Sequence, residues 1–234
     1  MRITFGTGLL LAMAIPWAMA SAQHPMVLAK LQEINAKAPQ PAVAKIEAAV
    51  IETLKAMAAA RGTCVPQKLT IADVAPATGS RDVLQGVVGG QLRNGWTAYA
   101  THGGCPGTEP FRYLIIEKSD GSLLALQVNE GRSLASPAIM RDTSMQAALM
   151  ALQKAKSLDS KCDGRDMAMG AARVVGQSKD LGPQIYGARY VGTWSEAWRF
   201  TTCGKTFEVT VHFTPDGDGG AYTNVKGDQV AVVK

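Results

Sequence analysis

His24, His102 and His212 are the only imidazoles in this chain, and an imidazole is the side chain best suited to proton transfer near neutral pH. His102 precedes Gly103-Gly104, a flexible context that leaves it accessible, so it is the histidine marked for base or binding chemistry. No Gly-x-Ser-x-Gly elbow, Ser-x-x-Lys pair or His-Glu-x-x-His pattern accompanies it. Among the carboxylates, Glu117, Glu196 and Glu208 show no distinctive context for a glycosidase-type pair. Glu196 stands between two tryptophans in Trp194-Ser195-Glu196-Ala197-Trp198. In a strand, Trp194, Glu196, Trp198 and Phe200 share one face. Aromatics here, with Tyr186 and Tyr190 just upstream, suit either a ligand groove or protein-binding face, or the filling of a larger core. These residues define the candidate binding set: Trp198, Tyr186, Tyr190, Trp194, Glu196 and His102.

Cys64, Cys105, Cys162 and Cys203 carry the remaining reactive chemistry. No Cys-x-x-Cys pair occurs and no histidine stands at ligand spacing, so zinc is disfavoured. Asp216-Gly217-Asp218-Gly219-Gly220 resembles a calcium loop at its start. The later ligand places of an EF-hand fall on Gly220 and Gly227, so a hairpin turn explains it better. No metal and no cofactor is expected.

The cysteines become informative through their compartment. Met1-Arg2 starts a short positive region, Leu9 to Ala20 is apolar, and Ala18-Met19-Ala20 and Ala20-Ser21-Ala22 are small-x-small cleavage signals. That is the pattern of a secretory signal peptide over residues 1–22, with cleavage near Ala20 or Ala22 and delivery to the periplasm or beyond. An even cysteine count in an oxidising compartment reads as disulfides. Cys64 to Cys105 and Cys162 to Cys203 both span 41 positions. A shift of 98 also superimposes Ser80-Arg81-Asp82 on Ser178-Lys179-Asp180, Gly89 on Gly187 and Trp96 on Trp194. The sequence thus reads as an internal repeat with pairing Cys64–Cys105 and Cys162–Cys203. Within it, Phe200 is the counterpart of His102, and Ala100 that of Trp198.

The elements that must hold these residues follow from periodicity. Residues 23–40 form an N-terminal helical extension, with Val27, Leu28, Leu31 and Ile34 docking inward. Repeat 1 spans 41–131, a linker 132–141, and repeat 2 142–234. Each repeat opens with a helix: Pro41 to Arg61 with Ile46, Val50 and Leu54 at helical spacing, and Asp142 to Leu158 with Met145, Leu149, Leu152 and Ala155 inward. Period-two segments then follow. In repeat 1 they are Lys68–Val74, Leu84–Leu92, Gly95–Thr101, Phe111–Lys118 and Leu123–Val128. In repeat 2 they are Asp166–Val175, Gln184–Val191, Thr193–Thr202, Thr206–Thr214 and Ala221–Lys226. The expected fold class is α+β, a tandem duplication of a helix packed on a curved four- to five-stranded antiparallel sheet, one disulfide per repeat.

The segment Gly192-Thr193-Trp194-Ser195-Glu196-Ala197-Trp198, then Cys203-Gly204 and Val209 to Gly217 (Val-x-Val-x-Phe-x-Pro-Asp-Gly), resembles a C-terminal pattern in uncharacterised exported proteins of Gram-negative bacteria. That resemblance implies export and no particular activity. In architecture alone, a secreted tandem of stapled helix-plus-sheet units resembles the secreted β-lactamase inhibitory proteins, which implies a fold and not a function.

Of 234 residues, 24 are Lys or Arg and 19 Asp or Glu, a net charge of +5 that falls short of a nucleic-acid binder. A 47% hydrophobic content argues against disorder. The expected function is a non-enzymatic periplasmic or secreted binding protein, of inhibitor or immunity type, engaging an envelope or extracellular protein, or a small ligand, through its sheet surface. Nucleic acid and a stable membrane anchor are not expected. The alternatives are a small exported hydrolase or carbohydrate-active protein using His102 or Glu196, and a structural component of the cell envelope.

Overall fold

A computed structural model describes residues 25–107 and 109–233. The leader assigned to residues 1–22, and His24, lie outside them.

Helix α1 (Pro25–Lys37) buries only Leu31 and Ile34, leaving Val27 exposed. A buried amide cluster holds it in place. Asn94 donates to the Ala38 carbonyl (2.8 Å) and to Asn35 Oδ1 (3.1 Å), while the Thr78 hydroxyl donates to Asn94 Oδ1 (2.6 Å). Helix α2 (Val43–Arg61) buries Ile46, Val50 and Leu54, one residue every turn or so. It stops at Gly62, whose φ of 65° lets its N–H close on the Ala58 carbonyl at 2.8 Å.

Eight strands follow in consecutive order: β1 (Lys68–Pro76), β2 (Leu92–Gly103), β3 (Phe111–Lys118), β4 (Leu123–Gly131), β5 (Ala168–Gln177), β6 (Trp194–Thr202), β7 (Lys205–Pro215) and β8 (Ala221–Val233). Helix α3 (Arg81–Val88) lies between β1 and β2, and α4 (Pro137–Leu158) between β4 and β5. Every pairing is antiparallel except β4 with β5, which is parallel and registers through Glu130↔Ala171 and Gly131↔Ala172.

The expected tandem of separate α+β units therefore does not form. One mixed eight-stranded sheet, β1 to β8, runs through the described residues. Two independent four-stranded sheets would leave four unpaired edges, and joining β4 to β5 removes two of them. Two expected strands are also absent. Leu84–Leu92 is mostly α3, because Val83 and Gly86 bury one helical face, with Val83 seated against Gly95 and Leu92 against Gly86. Gln184–Val191 is a loop turning tightly between Ile185 and Ala188, with Tyr186 and Gly187 both at positive φ. Helix α4 begins at Pro137, inside the expected linker, capped by the Ser136 hydroxyl on Ile139 N–H. Its inner face is Met140, Thr143, Ala147, Ala151 and Ala155, while the expected Met145 and Leu149 point outward. Large aromatics on the strands beneath leave room only for small helix residues.

The helices fall on two sides. On β2 and β3, Trp96, Tyr113 and Ile115 pack under α2, and the alternate residue Leu114 packs with Val83 of α3. Val128 belongs to the core of α3 and also to that of α4, and Asp82 of α3 forms an ion pair with Arg141 of α4. Thus α3 and α4 share one face. Helix α2 covers β1–β4 on the other, and that other face of β5–β8 carries no helix among the described residues. The core under α4 is built from Trp194, Trp198, Phe200, Phe207, Val209, Val211 and Phe213.

Candidate functional site

Glu196 is fully buried and accepts five hydrogen bonds. Oε1 takes the Leu134 and Ala135 backbone N–H groups (2.7 and 3.0 Å) and the Trp194 indole (2.9 Å). Oε2 takes the Ser133 hydroxyl (2.8 Å) and the Trp198 indole (2.9 Å). Residues 133–135 are the crossover from β4 into α4, so this carboxylate pins the crossover to β6. Arg112 completes the knot by donating to the Ala135 carbonyl at 2.6 Å. Burial lowers the pKa of Arg112, opposed by Tyr99 and by the Glu196 charge. Burial likewise lowers that of Arg189, again opposed by Glu196. Sealed between two indoles, Glu196 has no route to a substrate.

Trp194 and Trp198 are 2% and 0% exposed. Trp194 stacks on Phe213 at 4.9 Å between centroids, and Phe213 meets Trp198 at 5.9 Å. The aromatics around the acid are core, and the lined groove expected there does not exist. Tyr186 and Tyr190 lie in the loop between β5 and β6, both half-buried. That loop crosses to the first half of the chain: the Tyr186 carbonyl accepts from Gly79 N–H at 2.7 Å. A β-carbon at Gly187 would come within 2.7 Å of Ala77 Cα, so only glycine permits the approach. Tyr190 reaches the β7–β8 turn, where burial, Asp216 and Asp218 raise its pKa. In that turn Asp216 Oδ1 is occupied by the Asp218 and Gly220 N–H groups (2.9 and 3.0 Å). Among the described residues, no cluster of three His, Cys, Asp or Glu side chains could hold a metal ion.

His102 stands apart from all of these. It lines a cleft of about 300 Å³ with Leu54, Met57, Cys64, Cys105, Phe111 and Gln127. Its ring stacks on Phe111 at 4.3 Å, and Nε2 is 3.1 Å from the Tyr113 hydroxyl. Burial lowers the pKa of His102 and raises that of Tyr113. The disulfides join Cys64 to Cys105 and Cys162 to Cys203, each with Cα atoms 5.8 Å apart. Cys64 is exposed, whereas Cys162 is buried. Beside the second bond, Asp166 accepts from Cys203 N–H and the Thr202 hydroxyl, which lowers its pKa.

The structure thus scatters the six sequence-selected residues over a buried pin, a loop and a distant cleft. It assembles instead a set that sequence did not select, on the helix-free face of β5–β8. There Arg173 pairs with Glu208, Tyr222 is 71% exposed, and Ser195, His212 and Gln229 form a hydrogen-bonded chain. Strict alternation with the core aromatics was the available signal for this face, since Ser195 and Arg199 occupy the odd positions of β6. Which strands lie beside one another was not in that signal.

Compared with family models, curated proteins and solved structures, the chain matches none. No helix among the described residues is long and apolar enough to cross a membrane.

Proposed function

We propose that the chain is an exported, non-enzymatic binding protein whose recognition surface is the helix-free face of β5–β8. The observation that carries this reading is the asymmetry of the fold: α4 covers one side of these four strands and leaves a sheet face with polar side chains uncovered by any described helix on the other. Paired strands hold such side chains without loop entropy, so binding a complementary protein orders little that is not already ordered. Arg199, Arg173 and Glu208 supply charge, and Tyr222 supplies the exposed aromatic typical of interface anchors. The leader motif and the two disulfides support placement in an oxidising compartment, with an envelope or extracellular protein as partner.

The test is affinity capture from envelope extract with wild type, Arg199→Glu and Tyr222→Ala, using Met145→Ala on the outer face of α4 as control. A partner held by wild type and the control but released by both face variants is expected. Equal capture by all four proteins, or no capture by any, rejects the reading. A hydrolase built on Glu196 draws no support from the geometry, because both carboxylate oxygens are already occupied.

A further inference from the structure

Ser195 and His212 are direct cross-strand partners on β6 and β7, with Ser195 Oγ 2.7 Å from His212 Nδ1. On the other side of the ring, His212 Nε2 is 3.1 Å from Gln229 Oε1. A carboxamide oxygen only accepts, so with Oε1 facing the ring the neutral tautomer that fits is the one with its proton on Nε2, donated to Gln229. Nδ1 is left with its lone pair toward Ser195, and the serine hydroxyl is the donor. A hydroxyl donating to an imidazole that a third group orients is the arrangement of an activated serine, here with the roles of the two ring nitrogens exchanged from the familiar triad.

Two further features favour the same assignment. Gln229 reaches the ring through an irregularity of β8. Val209 pairs with Val230 and Val211 with Val225, so residues 226–229 lie opposite Thr210 alone. Bulges of this kind re-aim side chains. Ser195 is half-buried, and its strand neighbours are small. Its partner on β5 is Gly176, where even a β-carbon would stand 3.8 Å from Ser195 Cβ, and its same-face neighbour along β6 is the small Ala197.

We propose that Ser195 is a nucleophile that accepts an acyl group from activated esters, with His212 as its general base and Gln229 as a positioning residue. The Oγ–carbonyl carbon bond forms and the carbon–oxygen bond to the leaving group breaks. The hydroxyl proton passes to Nδ1 and then to the leaving alkoxide or to solvent. The backbone N–H groups of β6 around Ser195 lie within its ladders with β5 and β7, so β6 itself offers no backbone oxyanion hole. The chemistry is therefore a single acylation with a good leaving group, and the acyl-serine persists. This inference goes beyond the binding reading, and its test needs no partner, so either can fail alone.

The experiment incubates the oxidised protein with p-nitrophenyl acetate, follows release of nitrophenolate, and locates the acetyl group by peptide mapping. Expected is a burst of one equivalent with the acetyl group on Ser195, absent in Ser195→Ala. His212→Gln keeps the side chain polar and similar in size but cannot take the proton, and is expected to slow the burst about 100-fold. Circular dichroism of that variant checks that the fold is retained. Gln229→Ala is expected to slow the burst and to shift the ring-nitrogen resonances of His212 away from a pure Nε2–H tautomer, with Gln229→Glu restoring both. Acetylation of lysines as fast as Ser195, or an unchanged burst in a folded His212→Gln, overturns the proposal.

Discussion

Glu196 is a charge held in the core by donors alone: two backbone N–H groups, two indoles and one hydroxyl. Removing it strands all of them in the buried core, which costs more than the bonds themselves contributed. Glu196→Ala is expected to lower stability by about 4 kcal/mol, the scale for deleting one member of a buried charged network. Glu196→Gln is expected to cost about half that, since it leaves one acceptor oxygen in place. Urea unfolding followed by tryptophan fluorescence measures both. His102 predicts a pH effect of definite sign. Burial lowers its folded-state pKa, so the unfolded chain binds a proton first as pH falls through the ordinary imidazole range. Stability is therefore full at neutral pH and declines on mild acidification, until the folded-state imidazole is itself protonated. His102→Phe, which keeps the stack on Phe111, is expected to flatten that part of the urea-midpoint profile.

The two stapled segments differ in exposure although their loops are equal in length. Each disulfide closes a span of 41 positions, for which unfolded-state entropy gives roughly 3–4 kcal/mol of stabilisation. Cys64 is exposed beside the His102 cleft, whereas Cys162 is buried against the α4 core. Graded dithiothreitol followed by alkylation and peptide mapping is expected to label Cys64 and Cys105 first. Simultaneous labelling of all four cysteines would contradict this ordering. Helix α3 belongs to the same scale. Its Val83-Leu84-Gln85-Gly86-Val87-Val88 run has the β-branched content of a strand, and local propensity alone favours the wrong element. Contact of Val83 with Gly95 and of Leu92 with Gly86 makes it helical, and both contacts are tertiary.

At the scale of the whole molecule, continuity between β4 and β5 rests on Gly131. Its φ is 76°, and a β-carbon there would overlap the Ala172 carbonyl. Gly131→Ala is therefore expected to cost about 3 kcal/mol or more, from strain at positive φ plus the overlap. Chemical denaturation is also expected to split, with Trp96 reporting β1–β4 and Trp194 and Trp198 reporting β5–β8. A single coincident transition at the wild-type midpoint would contradict the importance given to this junction. How much was legible follows from these residues. Leu31, Ile46, Val50 and Leu54, the cysteine pairing and the Asp216-Gly217 hairpin could be read directly, because each depends on neighbours close in sequence or on a simple spacing. Trp194, Glu196 and Trp198 were correctly placed on one strand face, while the choice between core and groove stayed open in the sequence. An aromatic–acid cluster looks the same in sequence whether it faces solvent or accepts the crossover at residues 133–135. By itself the sequence determined the strand faces, the main helices and the two covalent links, since periodicity and cysteine spacing are properties of the chain. Only the tertiary structure decided that one sheet forms in place of two, that α2 and α4 lie on opposite sides, and that Ser195, His212 and Gln229 meet. Strand order and register depend on contacts distant in sequence, where removal of free edges and fit around Gly131 outweigh local preference.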